Sequence, residues 1–154
     1  MRLQKASSFA VYAVLELAAN PTRPLSGTEI AAKYGISAHH LAKVLRDLGR
    51  AGIVDASRGA GGGYRLAVNA KRLTLLDIIQ ICEPVGPQSA AGGDAELATD
   101  AGCALRMVLD ELDDHARATF RSITISTMLK LVARKPWMNS ARSLKPARRA
   151  GSRH

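Results

Sequence analysis

Residues 36–67 read ISAHHLAKVLRDLGRAGIVDASRGAGGGYRLA, and this stretch decides the fold. At 100° per residue, one face of its first half is apolar. That face consists of Leu41, Val44, Leu45 and Leu48. The opposite face is basic and consists of His39, Lys43, Arg46 and Arg50. The pattern predicts an amphipathic helix that begins after Ser37, an N-cap candidate, and ends at Gly52.

A second helix is predicted just before it. Residues 26–29 read SGTE, a capping box in which the serine hydroxyl and the glutamate carboxylate satisfy backbone N–H groups at a helix start. Gly35 is placed to stop this helix. The two helices therefore meet at a three-residue turn, which is the arrangement of a helix-turn-helix.

The segment RGAGGGY, residues 58–64, has four glycines in seven positions. A phosphate-binding loop would continue with lysine and Ser or Thr, and a dinucleotide fingerprint would have a third glycine where Tyr64 stands. Neither pattern is present. Strand-like residues on both sides, starting at Ile53 and at Tyr64, predict a β-hairpin with its loop at about residues 58–62.

The remaining elements are predicted to be helical. A first helix covers about residues 3–19, and a fourth follows a Thr74 cap and ends at Glu83-Pro84. From Asp100 a long amphipathic helix follows, with a short last helix at about residues 126–133. The apolar ridge of the long helix predicts a symmetric dimer interface made of Leu105, Val108, Leu109, Leu112, Ala116, Phe120 and Ile123.

The fold class is thus mainly α with a small β-hairpin, and four regions are expected. They are a winged helix-turn-helix DNA-binding domain over residues 1–83, a sensor-type loop over 84–102, the dimerisation helix and short final helix over 103–135, and a basic disordered tail over 136–154.

Composition supports a polyanionic partner. The chain has 154 residues and a formal charge of +9, and its first half is the most basic part outside the tail. Aromatic residues make up only 4%, which argues against a single-strand binder that stacks bases. Two cysteines, no signal peptide and no apolar run long enough for a membrane predict a protein of the reducing cytoplasm.

This order of elements predicts binding to duplex DNA. Residues near the start of the second helix of the pair reach base edges in the major groove, and the wing lies against the backbone or the minor groove. The expected DNA-binding residues are Ser37, His39, His40, Lys43, Arg46, Arg50, Arg58, Gly61, Gly62 and Tyr64. A solvated basic surface, an adaptor that has lost DNA binding, and a nucleotide-binding enzyme that uses the glycine loop are the alternatives.

Residues 36–67 also resemble the signature of the IscR/NsrR/CymR family of bacterial repressors, the Rrf2 family. The resemblance runs from the first helix to ITISTMLKLV at residues 123–132. It implies a homodimeric winged-helix transcription regulator, a repressor that binds a palindromic operator and answers to a redox, iron-sulfur, nitrosative or metabolite signal.

The cysteines depart from the family pattern. Many relatives hold an iron-sulfur cluster through three cysteines before the dimerisation helix, and only Cys103 stands at a matching place. Cys82 aligns with an apolar position in relatives, so it is expected to be a buried small hydrophobe and is the less favoured candidate for a sensor or cluster ligand. Some relatives use two cysteines with a carboxylate and a histidine of the first helix, whereas this helix has Ser7, Ser8 and Tyr12 there. A cluster held by Cys103, a thiol sensor at Cys103, and a protein or metabolite signal remain open.

Overall fold

The structure is a computed structural model that describes residues 3–83 and 99–134. Its elements are α1 (Lys5–Ala19), α2 (Gly27–Tyr34), α3 (Ala38–Arg50), β1 (Val54–Ser57), β2 (Gly63–Leu66), α4 (Leu75–Cys82), α5 (Asp100–Ser122) and α6 (Ile125–Arg134). The predicted class, mainly α with one β-hairpin, is confirmed. The expectations for most of the sensor-type loop and for the basic tail lie outside the described residues.

The core is built around α1, which packs against α3 and α4. Small and apolar residues of α1 let the neighbouring helices approach, and Ala10, Ala13 and Val14 are fully buried. Leu41 and Leu48 of α3 are fully buried as well. Because burying a leucine side chain stabilises the fold by about 1.5–3 kcal/mol, this contact holds α3 firmly in place.

The helix ends follow the sequence signals. Ser26 and Glu29 form the predicted capping box, in which the Ser26 N–H donates to Glu29 Oε2 at 2.8 Å and the Glu29 N–H donates to Ser26 Oγ at 3.1 Å. The bond from the Ser26 backbone, followed by one from Arg23, lowers the pKa of Glu29. Gly35 ends α2 with φ 62°. Ser37 occupies the N-cap position of α3, but its hydroxyl makes no capping hydrogen bond.

A polar cluster joins α1 to α2. Glu16 Oε2 accepts from Lys33 Nζ at 2.7 Å and from the Tyr34 hydroxyl at 3.0 Å. The Tyr34 ring stacks on Tyr12, with centroids 5.0 Å apart and planes 4° from parallel. Burial, together with the Glu16 carboxylate, raises the pKa of Tyr34 to about 12. The cluster fixes α2 against the central helix.

The hairpin pairs β1 with β2 in antiparallel register, Val54 opposite Leu66 and Ser57 opposite Gly63. A second contact holds it against the segment before α2: the Leu25 N–H donates to Tyr64 O at 3.0 Å, and the Tyr64 N–H donates to Leu25 O at 2.8 Å. The wing is therefore attached to the helix-turn-helix by backbone hydrogen bonds and cannot swing as an independent arm.

Two glycines of the wing are required by the packing of the protein's own backbone. A Cβ on Gly62 would lie 2.5 Å from the Ser57 carbonyl oxygen. On Gly63, where φ is +147°, it would lie 2.7 Å from the Leu25 carbonyl oxygen. These positions exclude a side chain because the protein's own backbone occupies the space.

The long helix α5 has no buried residue, and Leu105, Val108, Leu109 and Leu112 of its predicted apolar ridge are exposed. The helix ends one residue before Ile123, the last residue predicted for the ridge. Ile123 is the C-cap, with φ −101° and ψ 114°, and its carbonyl oxygen accepts from the Leu75 N–H at 2.9 Å. Phe120 and Ile123 pack against the core of their own chain. Over residues 3–83 and 99–134, no helix combines the length and apolarity needed to cross a membrane.

Candidate nucleic-acid interface

The outer face of α3 is an exposed basic surface. His39, His40, Lys43, Arg46 and Arg50 are all exposed, while the apolar residues of the same helix are buried beneath them. The helix can hold this orientation because its inner face is fully occupied by core contacts. The structure therefore brings the sequence-predicted residues of α3 together on one accessible surface.

The cations of this face are largely uncompensated. Arg50 Nη1 lies 3.9 Å from Asp47 Oδ1, at the outer limit of an ion pair. Within the part of the chain that the structure describes, Lys43 and Arg46 form no ion pair at all. The rings of His39 and His40 meet edge to face with centroids 6.0 Å apart. A surface of this kind attracts phosphate groups.

The wing contributes a second exposed set next to α3. Arg58 follows β1 directly, and it is exposed together with Gly61 in the loop of residues 58–62. Gly62 is half-buried. Tyr64 is engaged within the protein, because its backbone pairs with Leu25 and its ring packs against the core.

Sequence reasoning missed a cleft beside this surface, with Lys5 of the first turn of α1 at its rim. The fold places Lys5 beside His40 and Lys43 at one cleft, which the end of α4 also lines. A single lysine carries no periodic signal, and only the packing of α1 on α3 brings it next to a residue far along the chain. No pattern in the sequence could have found this neighbour.

The two cysteines do not form a cluster site of the three-cysteine type. Cys82, at the end of α4, is half-buried, and burial together with the nearby Asp47 and Glu83 carboxylates raises the pKa of its thiol. Cys103 is exposed in the first turn of α5. The chain has no third cysteine, and the described ranges contain no group of three His, Cys, Asp or Glu side chains arranged for a metal.

Comparison with known proteins supports this interpretation of the fold. The chain is 52% identical over 134 residues to an HTH-type transcriptional regulator called BadM of Rhodopseudomonas palustris, a match that covers 86% of this chain and 83% of that protein. CymR, the global cysteine regulator of B. subtilis, is similar in structure with a TM-score of 0.71 and 25% identity, over 85% of this chain and 98% of that one. IscR of T. potens has a TM-score of 0.70 and 26% identity, over 86% and 88% of the chains.

These relatives are regulators of transcription and not enzymes, which removes the enzymatic interpretation of the glycine segment. The sequence model of the Rrf2 family, described as an iron-dependent transcriptional regulator, matches residues 3–131. The chain belongs to the Rrf2 family of transcriptional regulators.

Proposed function

We propose that this regulator is a dimeric, sequence-specific repressor that binds a palindromic operator through α3 and the wing. The observation that carries the proposal is the outer face of α3, which is basic, exposed and nearly free of ion pairs over a fully buried apolar face. A helix held in this way fits the major groove of duplex DNA.

The position of each residue along α3 suggests its role. Ser37, His39, His40 and Lys43 lie at or near the helix start, where side chains of a recognition helix reach base edges. Arg46 and Arg50 lie farther along and are suited to phosphate contacts. Arg58, Gly61, Gly62 and Tyr64 belong to the wing, where we assign Arg58 to the backbone or minor groove and Tyr64 to support of the return strand.

Two alanine substitutions test these roles. Lys43→Ala should change which operator variants bind, with a loss of about 1–3 kcal/mol that depends on the base read. Arg50→Ala should weaken every duplex similarly and lower the slope of log affinity against log salt by about one.

The measurement is fluorescence anisotropy on a set of operator variants at several salt concentrations. Lys130→Ala is the matched control, because Lys130 is an exposed lysine of α6, away from this surface. Equal effects of Lys43→Ala and Arg50→Ala on every sequence would contradict the assignment.

The exposed apolar ridge of α5 supports the dimer. Leu105, Val108 and Leu112 are each more than half exposed, which leaves an apolar surface that a second copy can cover. In this arrangement residues 1–83 bind DNA, 84–102 form the sensor-type loop, 103–135 form the dimerisation region, and 136–154 form a basic tail. Two copies would read half-sites about one or two helical turns apart.

The candidate signals are redox, iron-sulfur, nitrosative and metabolite signals. Because the cysteines do not fit a three-cysteine cluster, we expect anaerobically purified protein to show no cluster absorbance in the visible range. A visible band that disappears in Cys103→Ala would establish a cluster and reverse this expectation. A protein that retains no duplex even at low salt would support the alternative, an adaptor of the same fold that has lost DNA binding.

A further inference from the structure

A cleft of about 330 Å³ lies between the start of α1, the edge of α3 and the end of α4. Its walls are mostly apolar and include Ala6, Phe9, Val44 and Ile81. Ligand sites in proteins begin at about this volume and combine apolar walls with a few polar groups that fix orientation. The cleft is therefore large enough for a small organic molecule.

The rim of the cleft carries two lysine side chains, Lys5 and Lys43, and one carboxylate, Asp47. A second carboxylate, Glu83, lies close by and accepts from the backbone N–H just before α1 at 3.4 Å. The Asp47 carboxylate also lies 3.9 Å from the Arg50 guanidinium, which partly neutralises its negative charge. Neither lysine has an ion-pair partner among residues 3–83 and 99–134. An ammonium group beside an apolar wall favours an anion that has a hydrocarbon body.

We propose that the cleft binds a small organic carboxylate whose carboxylate group meets Lys5 and Lys43 and whose hydrocarbon part packs on Phe9 and Val44. Compact aromatic or branched aliphatic acids fit this description. Cys82 contributes a neutral wall, because burial keeps its thiol protonated.

Binding in the cleft opposes binding of DNA, an inference that rests on the proposed function. His40 and Lys43 belong both to the rim and to the proposed DNA surface. A carboxylate on Lys43 removes a charge that would otherwise meet DNA. By linkage, the acid lowers the affinity for DNA by the same factor by which DNA lowers the affinity for the acid.

Calorimetry without DNA tests the cleft by itself. The probes are phenylacetate, cinnamate and isovalerate, each compared with its primary amide, which has a similar shape and no charge. At least one acid should bind with a Kd below about 1 mM, and its amide should bind at least about tenfold more weakly. No saturable heat from any of the three acids, or equal affinity for acid and amide, would overturn the proposal.

Two variants locate the site. Lys5→Gln should abolish the preference for the acid over the amide, because Lys5 is exposed and lies outside the proposed DNA contacts. Lys71→Gln removes an exposed lysine away from the cleft and should leave the preference unchanged. An unchanged preference in Lys5→Gln would contradict the assignment, provided that both variants melt at the temperature of the unaltered protein.

A competition experiment tests the link to DNA, with a duplex that the protein itself has selected from a random pool. The acid that binds in calorimetry should weaken duplex binding by at least about tenfold at saturation, and Lys5→Gln should bind the duplex normally but resist release. If the protein selects no duplex but still binds the acid, the proposed function is wrong and the proposed carboxylate site in the cleft is supported. If a duplex is selected and the saturating acid does not weaken it, the antagonism is wrong.

Discussion

Helices α3 and α5 have the same kind of sequence pattern and opposite environments. In α3 the apolar face is buried against α1 and α4, and Leu41 and Leu48 are fully inaccessible. In α5 no residue is buried, and Leu105, Val108 and Leu112 are 60%, 58% and 59% exposed. Amphipathic periodicity shows that a helix face needs cover, but it does not show whether the same chain or another copy supplies that cover.

The largest expected effect comes from placing a charge on the exposed ridge. Leu112→Asp should convert the proposed dimer into a monomer, because a carboxylate cannot be buried in an apolar interface without a partner. Affinity for the full operator should then fall by about 100-fold or more, since the two half-sites are no longer bound through one linked molecule.

Light scattering coupled to gel filtration and duplex titration would measure both quantities. Ala118→Asp is the matched control, because it adds the same charge on the opposite, exposed side of α5. If both variants keep the oligomeric state of the unaltered chain, α5 is not the interface.

The second largest effect is expected when a leucine is replaced by alanine in α3, compared with the same replacement in α5. In the Leu112→Asp background, Leu48→Ala should lower the free energy of unfolding by about 2–5 kcal/mol, because it leaves a cavity in the core. Leu105→Ala, at an exposed position, should change it by less than about 0.5 kcal/mol. Urea denaturation followed by circular dichroism measures both values, and similar losses would mean that the ridge is covered within one chain.

A smaller effect is expected in the wing. Gly63→Ala should break the hydrogen bonds between Leu25 and Tyr64, because the new Cβ would lie 2.7 Å from the Leu25 carbonyl oxygen. We expect faster amide exchange at both residues, a stability loss of about 1–3 kcal/mol, and weaker binding to DNA. Gly49→Ala is the control. Gly49 lies in α3, and a Cβ there would be 3.6 Å from the Val54 carbonyl oxygen, an ordinary van der Waals distance. Unchanged exchange in Gly63→Ala would show that the wing is not held at this point.

The smallest effect concerns Tyr34. Tyr34→Phe should cost about 1 kcal/mol, because it removes one hydrogen bond to the Glu16 carboxylate. The folded pKa of about 12 lies above the ordinary value of 10, so this stabilisation is complete below pH 10 and is lost as the pH rises towards 12. Phenolate absorbance should therefore show one tyrosine that ionises late in the unaltered protein and is missing from Tyr34→Phe. The same phenolate titration in the unaltered protein and in Tyr34→Phe at the highest pH values would contradict the prediction.

The sequence was sufficient for the elements that depend on local signals. The capping box at Ser26, the cap at Thr74, the stop at Gly35 and the glycine-rich wing act within a few residues of chain, so their spacing predicts the local structure. The helix end before Ile123 was not predictable, because the helical spacing of apolar residues continues past it. The backbone there leaves the helix to pair with Leu75, a contact between distant segments that no local pattern encodes.

The candidate site was also only partly predictable. Periodicity placed the basic residues of α3 on one face, since that property belongs to the helix alone. The cleft beside them depends on how α1 and α4 pack against α3, and its rim residue Lys5 has no motif. Likewise, the steric need for Gly62 and Gly63 follows from carbonyl groups of Ser57 and Leu25, which the fold brings close.

The pairing of Leu25 with Tyr64 has a consequence for how operators of unequal spacing are tolerated. Because the wing is fixed to the chain immediately before α2, the wing and α3 would meet a half-site as one unit of constant footprint in the proposed complex of dimer and operator. Any adjustment to an inserted or deleted base pair must then come from the connection between protomers, and one half-site cannot compensate by stretching its own contacts. Base-pair insertions at the centre of the palindrome should thus be accommodated as a change in protomer separation or not at all.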